Sequence, residues 1–199
     1  VSEAPIPGGE AAPCPPQHMH YALVAERADP GAFDARIAVV RHPLSRFVSE
    51  YKYRVSTARR RHSFEFWAWR ALARWRRDPF HLSNHLRPQS DFVGDDVAVF
   101  RFEDGLERAY RAGLETLEVA QAAPLGWEKK SAAVRVAASP RLVAALIEAY
   151  RADFERFDYD PAAATIEPPQ GLAEGLLGLA RGVAGAYSAR LSSSGRPRR

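Results

Sequence analysis

Lysine is scarce in this chain: Lys52, Lys129 and Lys130 are the only three, and the remaining 25 of the 28 basic residues are arginine. The single cysteine, Cys14, excludes an intrachain disulfide, and with six histidines at no zinc-type spacing to a second thiol no metal site is expected. There is no run of about 18 apolar residues, so no membrane-spanning helix is expected. Residues 1–20 hold neither Lys nor Arg and no apolar run, which gives no secretory leader pattern. These absences together lead to the expectation of a soluble, cytoplasmic chain, with the membrane surface as the alternative.

What is present points to a folded unit. The 199 residues fit about one domain, and 46% of them are hydrophobic, with ten Phe, seven Tyr and four Trp to fill a core. A net charge of +4 suits an anionic ligand, whether nucleic acid, acidic polysaccharide or phosphorylated nucleotide, and charge alone does not choose among them. The Arg and Ala bias suggests a GC-rich genome and is treated as background.

Residues 1–16 are rich in Pro, Gly and Ala without a period and read as a disordered lead-in, with order expected near Gln17. Within Asp34 to Arg41, the run Ile37-Ala38-Val39-Val40 has the pattern of a short parallel strand buried on both faces. Pro43 suits the first turn of a following helix to about Thr57, and Ser63 is placed to cap a second, aromatic-rich helix that stops at Asp78-Pro79. Residues 80–95 read as loop or short helical turn. Val97 to Phe102 is a second strand, Glu103 to about Val119 a helix, and Ser139-Pro140 begins a last helix through Phe157. Residues 161–191 form a Gly/Leu-rich helical segment, and 192–199 (SSSGRPRR) a disordered basic tail. Strand, helices, strand, helix is the order of an α/β domain over residues 17–160.

The most informative segment is IAVVRHPLSRFVSEY. It places Arg41 where a strand ends and Ser49 about two turns into the next helix. Ligands of open α/β sheets bind at the carboxyl ends of strands, where a helix N-terminus offers amides to an anion and a guanidinium can fork onto phosphate oxygens. Upstream, PQHMHYA sets His18 and His20 on one side if the segment is extended, and imidazole titrates in the range useful to a general base.

The pattern Arg41-x-Pro43-x-x-Arg46-x-x-Ser49 after an apolar strand resembles the 3′-phosphate-binding segment of sulfotransferases, especially the carbohydrate-type second family. NHLRPQSDF (84–92) resembles that family's His-x-x-Pro-Gln stretch, VFRFED (99–104) its strand ending in Glu, and YRADFERFDY (150–159) its Tyr-x-x-Asp-Phe helix. The resemblance covers about residues 17–160. It implies a P-loop NTPase-like parallel sheet flanked by helices, and 3′-phosphoadenosine 5′-phosphosulfate (PAPS) as sulfuryl donor, with no metal. A carbohydrate or glycolipid would be the acceptor, with no nucleic acid as partner. By the same resemblance Arg41 and Ser49 hold the 3′-phosphate, Arg46 supports the segment, Lys130 and Ser131 supply a late phosphate loop, and His18 or His20 is the catalytic base. His85 is a further polar candidate, read more readily as a loop histidine bonded to backbone.

One part of the family pattern is missing. No Lys-Thr loop for the 5′-phosphosulfate precedes the phosphate segment, and the first lysine, Lys52, already lies in its helix. The sheet is therefore expected to be incomplete at the N-terminus, and residues 1–199 alone to turn over poorly, because charge stabilisation on the leaving group is a large catalytic contribution. The competing readings are an inactive remnant of the same fold, a nucleotide-binding phosphotransferase, which would need a phosphate loop and a metal-binding acid, and a nucleic-acid-binding module. Against the last, the Trp and Phe residues fall at helical core spacing, with no basic and aromatic interleaving.

Overall fold

Two four-residue strands, β1 (Ile37–Val40) and β2 (Ala98–Arg101), lie side by side in parallel, with Ile37 opposite Ala98 and Val40 opposite Arg101. The computed structural model describes residues 13–33, 35–57, 62–118, 136–163 and 166. Ahead of β1 come a 3-10 turn (Pro16–His18) and the short helix α1 (Tyr21–Ala25). Between the strands run α2 (Pro43–Thr57) and α3 (Phe64–Trp75), and after β2 come α4 (Leu106–Thr116), α5 (Pro140–Ala149) and α6 (Arg151–Phe157). The architecture is mixed α/β, a small parallel sheet flanked by helices, as expected.

Pro43 opens α2 where a missing amide hydrogen costs nothing. Ser63 accepts from the Phe66 amide at 3.4 Å to cap α3, and Ser139 accepts from the Leu142 amide at 3.2 Å to cap α5. Glu65 links these two starts: it accepts from the Ser139 amide at 2.9 Å, the Ser139 hydroxyl at 2.7 Å and the Trp69 indole at 3.0 Å. The main core fills the space among α2, α3 and α5, where Leu44, Phe47, Leu72, Leu142, Leu146 and Tyr150 are buried. Tyr150 stacks flat on Trp75 with ring centroids 6.0 Å apart, an arrangement that aromatic quadrupoles favour when offset.

Four expectations are corrected. β1 is fully covered on one face and only partly on the other: Val40 is buried against Val93 and Phe157, whereas Ile37, with Gly113 of α4 beside it, and Val39 remain 44% and 40% exposed. Alternation therefore replaces the continuous burial that the apolar run suggested. The helix expected from Glu103 starts later, because Phe102–Asp104 form a 3-10 turn and Gly105, at φ 94°, takes a backbone conformation open chiefly to glycine before α4 begins. The last helix is two, broken at Tyr150 (φ −114°, ψ 22°). Packing also starts ahead of Gln17, since Cys14 is buried against Met19 and Leu23. Of the 161–191 segment only residues 161–163, a 3-10 turn (Pro161–Ala163), and 166 are described; the rest of it and the basic tail lie outside the described residues.

The break at Tyr150 has a cause in the tertiary structure. Its hydroxyl donates to the Leu86 carbonyl at 2.8 Å, and Asp153, fully buried one turn later, accepts from the amides of Gln89 at 2.8 Å and Ser90 at 2.7 Å. The short α6 thus carries a carboxylate to a 3-10 turn (Gln89–Phe92) whose first amides have no helical partner. Replacing Asp153 by Ala leaves two inward amides unpartnered and is expected to cost about 2–4 kcal/mol, read from urea unfolding. An unchanged midpoint would contradict this.

Candidate functional site

The chain leaves β1 through Val40, Arg41 and His42, and side chains from distant segments hold four of their backbone groups. Gln89 grips Arg41 from both sides: its Oε1 accepts from the Arg41 amide at 2.8 Å and its Nε2 donates to the Arg41 carbonyl at 2.7 Å. Glu103, in the 3-10 turn that follows β2, accepts from the His42 amide at 2.9 Å and from the Tyr159 hydroxyl at 2.8 Å. The Tyr159 hydroxyl also lies 3.2 Å from the Val40 carbonyl. His42 is itself buried, with Nε2 donating to the Asp160 carbonyl at 3.1 Å. Burial works to raise the Glu103 carboxyl, but the His42 amide, the Tyr159 hydroxyl and nearby Arg41 outweigh it and hold the group below its ordinary value.

With its backbone fixed in this way, the half-buried Arg41 extends a guanidinium that makes no ion pair among the described residues. It lies over the Phe102 ring, 4.7 Å from the centroid, a contact that leaves the N–H edges free. Arg46, in the first turn of α2, donates to the Arg87 carbonyl at 2.9 Å and so ties α2 to the loop that carries Gln89. Ser49 is half-buried one turn further along α2, and Ser45, Ser49 and Lys52 share one side of that helix by their spacing. The opposite side carries Leu44, Phe47 and Tyr51 into the core. Lys130 and Ser131 lie outside the described residues.

The two histidines proposed as base candidates are close in sequence but face different neighbours, because residues 16–18 turn instead of running extended and His20 then stands at the start of α1 without a capping bond from its side chain. The His18 ring stands edge-on to His85 with centroids 4.5 Å apart, and the two Nε2 atoms are 3.4 Å apart. The His20 ring is nearest Phe80, at 6.0 Å. Burial, followed by the charge His85 can carry, lowers the His18 pKa, although Glu50 opposes this; burial and then Arg87 lower that of His20.

His85 is also better connected than a loop histidine bonded to backbone. Its Nδ1 donates to Glu50 Oε2 at 3.0 Å, and Glu50 Oε1 accepts from Arg54 Nε at 2.6 Å. Glu50 follows Ser49 on α2 and is 9% exposed. Burial alone would raise its carboxyl, yet the bonds from His85 and Arg54 hold it below the ordinary carboxylate range. The signal for this group was present in the sequence, since Glu50 stands between Phe47 and Tyr51 on the apolar side of α2, where a carboxylate needs partners.

Local backbone strain sets His85 in place. Leu82, Ser83 and Asn84 all take left-handed conformations, with φ of 57°, 53° and 68°, at roughly 1–2 kcal/mol for each such residue. The surroundings hold this turn in place, with Asn84 Nδ2 donating to the His18 carbonyl at 2.9 Å and Asn84 Oδ1 accepting from Arg87 at 3.0 Å. Among the described residues no group of three or more His, Cys, Asp or Glu is placed to hold a metal ion, and no helix is long and apolar enough to cross a membrane.

Histidines held neutral by burial make stability depend on pH. Because the unfolded chain binds protons at these two sites more readily than the folded one, stability rises with pH towards the unfolded histidine value of 6.5 and falls as pH drops below it. The melting temperature is expected to fall between about pH 7 and pH 5, and His18→Asn is expected to flatten that slope. A slope of the opposite sign would contradict the assignment.

A family model described as the sulfotransferase family matches residues 31–160, about two thirds of the chain. Comparison with curated proteins and with solved structures finds no match.

Proposed function

The chain belongs to the sulfotransferase family, and from that premise we propose that it moves a sulfuryl group from PAPS to a hydroxyl of a carbohydrate or glycolipid acceptor. The observation that carries this reading is the strand tip, where Arg41 is held by its backbone while its guanidinium keeps no ion pair among the described residues. β1 passes at once into the 15-residue α2, whose first amides lack helical partners and favour an anion. The P-loop NTPase-like reading of the sheet is part of the same proposal.

In this reading Arg41 and Ser49 hold the 3′-phosphate, Arg46 fixes the helix start through the Arg87 carbonyl, and Lys130 and Ser131 complete the phosphate loop. PAPS supplies the sulfuryl group. His18 or His20 takes the proton from the acceptor hydroxyl, and both are held neutral near pH 7, as a base must be. Sugar hydroxyls ionise far above neutral pH, so attack without a base would be slow. The Arg surplus and net positive charge then serve to draw in a multiply charged nucleotide.

Adenosine 3′,5′-bisphosphate, the desulfated product, is expected to raise the melting temperature more than ATP or duplex DNA, since a ligand that binds only the folded state stabilises it by mass action. Arg41→Ala is expected to weaken that binding about 10- to 100-fold, the loss of a charge-assisted hydrogen-bonding group, and Ser49→Ala less. A larger shift with ATP or DNA, or full binding by Arg41→Ala, would overturn the reading.

A further inference from the structure

The sulfotransfer reading uses His18 or His20 and gives no task to the Glu50 and His85 pair. Glu50 is a nearly buried carboxylate on α2, adjacent to Ser49, and each of its oxygens accepts from a different partner: Oε1 from Arg54 and Oε2 from His85. Accepting from Nδ1–H fixes the His85 tautomer and leaves its Nε2 bare. That bare nitrogen faces His18 Nε2 across 3.4 Å, a gap that holds one proton and not two. The left-handed turn at Leu82–Asn84 delivers both contacts, since Asn84 binds the His18 carbonyl while the next residue meets its ring. His85 retains 33% of its side-chain surface exposed, so a hydroxyl group has an approach to the pair. His20 takes no part in this chain of contacts, its ring facing Phe80.

We propose that Glu50, His85 and His18 form one acid–base unit that takes the acceptor's proton, an inference that rests on the sulfotransfer reading above. His18 and His85 present two facing Nε2 atoms, and Glu50 is a positioning residue that orients His85. In the step, with His18 carrying its own proton on Nδ1 so that both facing Nε2 atoms are bare, the acceptor's O–H bond breaks and its proton becomes the single one held in the gap, bonded to one Nε2 and hydrogen-bonded to the other. The oxygen's freed electron pair goes to the sulfuryl sulfur, and the pair from the broken sulfur–oxygen bond leaves with the donor's phosphate. The new imidazolium charge faces the Glu50 carboxylate, which is in place before the reaction. The charged and titratable groups bearing on His18 are His85 from the loop and Glu50 and Arg54 from α2; of these Glu50 alone favours its protonated form.

The test is an NMR titration of the 15N-histidine-labelled chain, read alongside sulfuryl transfer. Glu50→Gln is expected to lower the His18 midpoint and release the His85 proton from Nδ1, while His85→Gln is expected to raise the His18 midpoint. Where adenosine 3′,5′-bisphosphate binding is kept, Glu50→Gln is expected to slow transfer by about tenfold or more and to move the acid limb of the rate profile to lower pH. If Glu50→Gln does not fold, the His85→Gln titration carries the test alone. A His18 midpoint unmoved by His85→Gln, or a folded Glu50→Gln protein with the wild-type rate profile, overturns the acid–base unit. Failure of the wild-type chain to bind adenosine 3′,5′-bisphosphate, with the two histidines still coupled, instead overturns the sulfotransfer assignment.

Discussion

The amide of Gln89 holds the polypeptide where β1 ends, and the geometry of the site follows from that grip. A primary amide can donate and accept at once, so a single side chain satisfies both the N–H and the C=O of Arg41. A residue at the end of a strand would otherwise leave these groups to water or to a moving loop. Gln89 is in turn fixed by Asp153, which takes the amides of Gln89 and Ser90 from the buried side. The order of dependence is therefore α6, then the 3-10 turn, then the strand tip. One residue later Glu103, itself held by the Tyr159 hydroxyl, accepts from the His42 amide, and the His42 carbonyl accepts from the Arg46 amide of α2. These side-chain contacts join segments 48 to 64 positions apart and most are at least partly buried, so the Arg41 guanidinium projects from a rigid base, which reduces the entropy lost on binding an anion.

The same segment of chain serves the other end of the site. Residues 82–92 contribute His85 to the histidine pair, Leu86 to the Tyr150 hydroxyl, Arg87 to Arg46 and Gln89 to Arg41. Strain at Leu82–Asn84 and the buried acceptor at Asp153 lie at either end of this stretch, so the loop has little freedom to slide. In the proposed reading, the arginine that would hold the phosphate and the histidine that would take the proton are thereby set by one short connection, with α2 as the ruler between them.

Much of this was legible in the sequence, and the reasons differ by element. Both strands, the Pro43 and Pro140 helix starts and the Ser63 and Ser139 caps were readable because each depends on near neighbours in the chain. The break at Tyr150 was not, since the helical period runs straight through it and only the distant Leu86 carbonyl and Gln89 turn explain the change. The partial exposure of one face of β1 was missed for a similar reason: a four-residue apolar run looks the same whether its second side is covered fully or in part. The resemblance marked the motifs at Gln89, Glu103 and Asp153 without saying what they do, and their work proves to be holding backbone. The place of Glu50 on the apolar side of α2 announced a carboxylate in need of partners, but not that one of them is His85, 35 positions away.

The central claim is that the Gln89 grip prepares Arg41 to receive a phosphate. Calorimetric titration of adenosine 3′,5′-bisphosphate into a folded Gln89→Ala protein tests it most directly. The account predicts affinity about tenfold or more below wild type with the Arg41 side chain intact; equal affinity in the two proteins would contradict it.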